Sequence, residues 1–375
     1  MEWEYKPLDE LGNISRGKSK HRPRNDKLLF GGKYPFIQTG DVKAADLYIT
    51  KYNDTYNEYG LAQSKLWPAG TLCITIAANI ADTAILGIDA CFPDSIMGFI
   101  PYKGVVNVKF VKYCFDILQQ KCKNISQGTT QDNLSWKKLS SIKFPKPSIE
   151  VQNKIAHVLS QYDNLIETNK KRIKILEQMA ENLYKEWFVR FRFPGHENAE
   201  FVEGVPKGWE YCKLKKLLNI SYGKDHKNLE DGDIPIFGSG GIMRYGNKAL
   251  YDGEVVLIPR KGTLNNIMYY SGKLWTVDTM FYAVPQVSKS AKYIYYTLNK
   301  FDMESYNSGA ALPSMTTAIL YNLKILLPDG ETLARFDEII DTMFDEKKIL
   351  ENQNQNLIKQ RDYLLPRLMS GKLQV

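Results

Sequence analysis

The sequence predicts an α+β protein in which one unit, a mixed α/β body followed by a long helix, is written twice. Three observations carry this. The chain opens with WEY from Trp3, Leu8 and NISRGK from Asn13, and the same signals return as WEY from Trp209, Leu214 and NISYGK from Asn219, all at one offset of 206 residues. Each copy ends in a long stretch whose apolar residues recur at alternating steps of four and three, the seam of a coiled coil. Between the copies, Phe193 to Gly208 carries Pro194, Gly195, Gly204, Pro206 and Gly208, a loop composition. Repetition on this scale decides the architecture before any single motif does.

Taken in order, body one spans 1–147, a helix 148–192, a linker loop 193–205, body two 206–328 and a second helix 329–375. Within the bodies, PFIQTGD from Pro35 faces PIFGSGG from Pro235, and Asp94-Ser95 faces Asp278-Thr279. The stretch from Ser126 faces the one from Asn307, and each leads to a closing proline, Pro147 or Pro328. Short β-rich runs (Thr71 to Ile76, Glu254 to Pro259, Leu274 to Val284) alternate with turn clusters and short helical pieces (Val111 to Gln120, Ala291 to Asn299), so each body reads as α+β.

The first helix places Tyr162, Ile166, Asn169, Ile173, Leu176, Ala180, Leu183 and Trp187 on one seam, with Asn169 able to fix register. The second places Phe336, Ile340, Met343, Lys347, Leu350, Asn354, Leu357, Arg361 and Leu364 there, and Pro366 and Gly371 close it. An amphipathic helix ~50 Å long needs a partner. Matched length and the repeat make each helix the other's expected partner, as an antiparallel intramolecular coiled coil with approximate twofold symmetry. The alternative is pairing with another chain. Lys347, Asn354 and Arg361 are costly in a dry seam. Part of that seam is therefore expected to face water or a partner, with Lys347 and Arg361 as candidate docking residues.

Composition narrows the function. Fifty basic against 42 acidic residues leave a net charge of +8, compatible with nucleic acid but not diagnostic of it. The five cysteines (Cys73, Cys91, Cys114, Cys122, Cys212) form no CxxC pair, so buried thiols in a reducing compartment are expected, and no metal site. The polar opening MEWEYKPLDE is unlike a secretory leader, and Asn79, Asp82 and Asp89 interrupt the most apolar run, Leu72 to Phe92. A cytoplasmic protein with no membrane span is expected.

Gly12 to Ser19 matches the phosphate-loop pattern GxxxxGK followed by Ser. Pro7, Asp9 and Glu10 precede it, Pro23 leaves no room for the helix it requires, and the second copy has Leu218 and Asp225 where Gly12 and Ser19 stand. A strand, a turn and a basic loop are expected instead. His21, His157, His196 and His226 lack metal-site spacing, and no methyltransferase or dinucleotide motif is present. What remains is recognition by basic clusters interleaved with amides, which suit phosphates and base edges. In body one the candidate DNA contacts are Lys18, Lys20, Arg22 and Arg24, then Gln38, Thr39, Lys43 and Asn79, then Thr129, Thr130 and Gln131. In body two they are Lys224, Lys227, Arg244 and Tyr245, then Arg260, Lys261, Asn265 and Asn266.

LYKEWFVRFRFPGHE from Leu183 and RDYLLPRLMSGKL from Arg361 resemble the central and distal conserved regions of Type I restriction–modification specificity subunits. PFIQTGDV, PAGTLCITIAANI and the stretch from Ser126 resemble their target-recognition domains. The resemblance covers essentially the whole chain. It implies a non-catalytic subunit that reads double-stranded DNA as two short half-sites around an unread gap, with the helices setting the gap. It further implies two methyltransferase subunits for adenine N6 methylation and restriction/translocase subunits as partners. S-adenosylmethionine, ATP and Mg would be carried by those partners and no cofactor by this chain. The offset between copies falls from 206 to 181, so body two is 25 residues shorter, all of it lost before the helix. Bodies that differ on a shared frame imply an asymmetric target. The competing readings are a protein-binding adaptor, whose bodies would ignore DNA, and a self-contained DNA-modifying enzyme, which would methylate alone.

Overall fold

The structure, a computed structural model, describes residues 3–76, 82–125, 139, 141–307 and 313–375. They divide into two compact units, one of residues 1–171 with 350–375 and the other of residues 172–349. The division runs through both long helices, α5 (Ile149–Tyr184) and α8 (Gly330–Met369), so each unit holds a body and half of each helix.

Unit 1 is closed by its own ends. β1 (Glu4–Pro7) pairs antiparallel with the strand just before α5, β11 (Lys143–Lys146), from Glu4 opposite Lys146 to Pro7 opposite Lys143. After α1 (Leu8–Leu11), a five-stranded sheet has the order β2-β10-β7-β8-β4, from β2 (Gly12–Arg16), β10 (Ile96–Pro101), β7 (Leu72–Thr75), β8 (Thr83–Leu86) and β4 (Tyr48–Ile49). A four-stranded sheet has the order β5-β3-β9-β6, from β5 (Asp54–Tyr56), β3 (Phe30–Phe36), β9 (Ala90–Cys91) and β6 (Leu66–Trp67). The helices α2 (Thr39–Ala44), α3 (Glu58–Gln63) and α4 (Val108–Ile125) complete the body. Its core takes in the start of α5 (Ile155, Leu159) and the end of α8 (Leu365, Leu368, Met369), packed with Leu8, Leu72, Phe110 and Phe144.

Unit 2 follows the same plan after a short hairpin, β12 (Phe201–Val202) with β13 (Val205–Pro206). β14 (Glu210–Lys213) pairs with β21 (Lys324–Leu327), the strand just before α8. Its main sheet has the order β15-β20-β18-β19-β16-β17. The strands are β15 (Leu218–Tyr222), β20 (Met280–Pro285), β18 (Tyr251–Pro259), β19 (Met268–Thr276), β16 (Ile234–Gly238) and β17 (Gly241–Gly246). The helices α6 (Ala291–Leu298) and α7 (Thr317–Asn322) complete the body. Its core takes the end of α5 and the start of α8. A π-helical turn, Lys185–Val189, widens the backbone so that the consecutive residues Trp187 and Phe188 are both buried, with Phe188 against Trp209, Tyr293 and Phe336.

The helix halves pair antiparallel in each unit. In unit 1, Asn169 donates to the Asn354 carbonyl oxygen at 3.0 Å and Arg361 bonds Asp163 at 2.6 Å. In unit 2, Arg172 reaches Glu346 and Lys347 reaches Glu177, each at 2.6 Å. This corrects the expectation that Lys347 and Arg361 turn away from the first helix. Each polar residue of the α8 seam meets a complementary group on α5, which removes the cost that suggested a partner there. Phe336, Ile340, Leu350 and Asn354 are buried, while Met343, Leu357 and Leu364 are half-buried. On α5, Ile166, Asn169, Ala180 and Trp187 are buried, and Ile173 and Leu176 half-buried. Toward the ends the buried face moves on by one residue, from Tyr162 to Asp163 and from Leu183 to Tyr184. There the helix faces a body rather than the other helix, Asp163 toward Tyr113 and Tyr184 toward Tyr293 and Tyr296.

The start of α8 is fixed by a side-chain cap. Asp329 accepts the Thr332 amide at 2.9 Å, the Thr332 hydroxyl at 2.7 Å and the Trp209 indole N–H at 2.8 Å. Burial pushes this carboxyl up, but the bonds from Thr332 and Trp209 outweigh it and hold the group below its ordinary value. Stabilisation from a depressed carboxyl is full at neutral pH and is lost as pH falls through its folded-state value. Asp329→Ala should therefore cost about 1–2 kcal/mol in urea unfolding at neutral pH, a loss that narrows in acid. An unchanged midpoint at neutral pH would contradict the cap.

Candidate nucleic-acid interface

The phosphate-like run is a strand. Gly12–Arg16 is β2, paired with β10 along its length, and the Gly17 and Lys18 amides are spent on the Ile96 and Phe92 carbonyls at 2.8 and 3.1 Å. A Cβ at Gly17 would lie 2.3 Å from the Pro93 oxygen, so the glycine serves a close backbone approach. The amides a phosphate would need are taken.

The basic loop that follows is folded back on its own body. The Ser64 hydroxyl donates to the Lys18 carbonyl, and the Gln63 side chain accepts the Lys20 and His21 amides. The Arg22 guanidinium donates to the Ser19 and His21 carbonyls at 2.7 and 2.8 Å, and Arg24 pairs with Asp94 at 2.6 Å. The Lys18 and Lys20 side chains remain exposed. Gln38 caps α2, its amide bonded to Asp41 and its side chain to Asp54 at 2.6 Å, which leaves Thr39 half-buried and Lys43 exposed on that helix. Asn79, Thr129, Thr130 and Gln131 lie outside the described residues.

In unit 2, Lys224 and Lys227 project from the loop after β15. That loop is held by the Lys224 amide on Thr276, the Trp275 indole on the Lys224 carbonyl, and Arg244. Arg244 donates to the His226 and Leu229 carbonyls at 2.6 and 2.9 Å and to Asp231 at 3.3 Å. Asn265 bonds Asp302 and accepts the Met303 amide, and Asn266 donates to the Ser239 carbonyl at 2.8 Å. Base-edge contacts were expected from Arg244 and Asn265, but their polar atoms are committed inside the fold, where they shape the surface instead. Arg260 lies 5.3 Å over the Tyr222 ring and donates to the Asp278 carbonyl, Lys261 bridges to Ser314, and Tyr245 is exposed on β17.

Two buried ionic networks escaped the sequence. In unit 2, the Lys292 ammonium, 1% exposed, contacts Glu254, Asp337 and Asp341 at 3.0, 2.9 and 2.7 Å. Burial disfavours this charge, yet Asp341, Asp337 and Glu254 hold the amine well above its ordinary value. These three carboxylates are also the metal-like cluster found among the described residues, and the lysine supplies the positive charge there. In unit 1, Asp163, 4% exposed, takes the Arg361 guanidinium and the Tyr113 hydroxyl, while the repeated lysine, Lys112, turns to Asp116 at 2.7 Å. Lys112-Tyr113 and Lys292-Tyr293 recur at one offset of 180, the sequence signal that could have drawn attention to them.

The chain matches the Type I restriction modification DNA specificity domain over residues 1–178 and 206–360, and it belongs to that family. Specificity subunits are the non-catalytic, DNA-recognising members of such systems. The chain is 28% identical to the Type I restriction enzyme MjaIX specificity subunit of Methanocaldococcus jannaschii, over all of this chain and 94% of that one. It is 21% identical to the EcoprrI specificity subunit of Escherichia coli, over 91% of this chain and 87% of that one. The crystal structure of a Type I restriction-modification S subunit from M. genitalium shares the fold, with a TM-score of 0.64 at 16% identity, covering 98% of this chain and 96% of that one. Among the described residues no helix is long and apolar enough to cross a membrane.

Removing one member of a buried ion pair strands the other's charge. Lys292→Met should therefore cost about 3–5 kcal/mol in urea unfolding, and adding Asp337→Leu should recover much of it. A single variant as stable as the parent would show that the network carries no charge.

Proposed function

We propose that each body reads one half of a bipartite, asymmetric double-stranded DNA target, and that α5 and α8 set the gap between the halves. The observation that carries this is selective divergence. Both bodies keep the closing strand pair and the helix that follows, and they differ in between. After Phe36 the first runs into α2, whereas after Gly238 the second turns back as β17. A frame held constant around a variable middle suits two readers of different sequence.

The helices also offer surface for methyltransferase subunits that carry S-adenosylmethionine and methylate adenine. Leu165 and Ile358 in unit 1, and Ile175, Met179 and Ile349 in unit 2, are exposed on the helix halves without contributing to either core. These apolar positions are better docking candidates than Lys347 and Arg361, whose charges are already matched. Restriction/translocase subunits, with ATP and Mg, would join that core.

Adenine methylation mapped in cells expressing the chain with a methyltransferase partner should give a target whose two halves differ. Matched seven-residue insertions, between Leu176 and Leu183 and between Ile340 and Lys347, keep the seam in phase and lengthen it by ~10 Å. At ~3.4 Å per base pair they should widen the gap by about three base pairs with both halves unchanged. Identical halves, or a gap that ignores the insertion, would contradict the reading. Weak, salt-insensitive binding to DNA would favour a protein-binding adaptor instead.

A further inference from the structure

The β16–β17 hairpin of unit 2 leaves apolar side chains where an edge strand ordinarily carries protective charge. β17 is the last strand of its sheet, with Ile242 49% exposed, Met243 58% exposed and Tyr245 exposed beside them. Proteins blunt such edges with lysine, proline or a cover, because a bare apolar edge invites association. Here the edge is shaped rather than blunted. Ile236 faces Arg244 and Phe237 faces Ile242, so Met243 has no partner on β16 and forms a bulge. A bulge re-aims side chains and is over-represented beside functional sites. The Met243 side chain lies over Gly238, where an added Cβ would meet its sulfur at 2.5 Å.

The surroundings identify the partner's charge. The turn at Ser239 rests on the loop from Arg260 to Asn266. Asn266 donates to the Ser239 carbonyl, and a Cβ at Gly262 would lie 2.9 Å from the Ser239 hydroxyl. That loop carries Arg260 and Lys261 and no carboxylate, and neither is ion-paired among the described residues. An apolar ribbon beside unneutralised basic groups suits a polyanion that also presents apolar groups. The DNA major groove admits a two-stranded β-ribbon, and the thymine methyl is the apolar group it displays.

We propose that the β16–β17 hairpin is a specificity element in which Ile242 and Met243 contact thymine C5-methyl groups in the major groove of the half-site read by unit 2. The inference rests on the half-site reading above and adds the element, the residues and the base. The hairpin replaces α2 at the equivalent point of unit 1, so it belongs to the variable part of the frame. Arg244, pinned by carbonyls on the opposite side, holds the ribbon against its neighbouring loop.

The test uses the complex assembled with its methyltransferase partner and duplexes carrying the mapped target. Each thymine is replaced in turn by deoxyuridine, which removes only the methyl group. The parent complex should lose roughly tenfold in methylation kcat/KM at one or two thymines of a single half-site. Ile242→Ala with Met243→Ala should lose a similar factor on the intact target and nothing further at those thymines, while Ile242→Leu with Met243→Leu keeps the sensitivity. The proposal is overturned if the deoxyuridine penalties are unchanged in the alanine variant. It is equally overturned by a uniform loss on every duplex, the signature of a hairpin that contacts a protein subunit. A parent complex with no preferred target would instead sink the half-site reading beneath it.

Discussion

Everything in this chain depends on the closure of each body by its own ends. The first strand of a copy pairs with its last, Glu4 with Lys146 and Glu210 with Leu327, immediately before the long helix begins. Ladder hydrogen bonds at that point bring the two ends of the body together. They aim the helix and leave the middle of the sequence free to vary between fixed posts. In unit 2 the same junction is tied again by the Trp209 indole on Asp329, the residue that caps α8. Helix direction therefore follows from body closure rather than from helix propensity.

The helix ends then become part of the bodies. Ile155 and Leu159 of α5 share one core with Leu365 and Leu368 of α8, and Trp187 and Phe188 share the other with Phe336 and Ile340. Apolar packing alone would accept either helix end in either body, and the polar groups discriminate. Asp163 requires Arg361, Asp337 requires Lys292, and Asn169 requires Asn354. Buried pairs of this kind contribute little net stability but penalise every mismatched register, since each wrong pairing leaves a charge or amide unsatisfied.

The duplication, the two helices and their pairing were legible because they rest on periodicity and repetition, which survive without tertiary context. Asn169, Ile340 and Leu350 sit on the buried side because a four-three pattern has one meaning over so long a stretch. The interface was less legible. Arg244, Asn265 and Gln38 have the chemistry of base readers, but whether their donors are free depends on loops that fold back from distant residues. Ile242 and Met243 carried no signal at all, since their exposure follows from an edge position and a bulge. The one-residue drift from Tyr162 to Asp163 was hidden for a related reason: there α5 answers to α4 and not to α8.

The central claim is that two interchangeable readers sit on one frame. Gly12 pairs with Pro101 and Leu218 with Pro285, so residues 12–101 and 218–285 begin and end at equivalent paired positions. The direct measurement is the methylated target of a chain carrying residues 12–101 in place of residues 218–285, assembled with its methyltransferase partner. The account predicts a symmetric target, the body-one half-site repeated in inverted orientation around the gap. Continued methylation of the parental asymmetric target would contradict it.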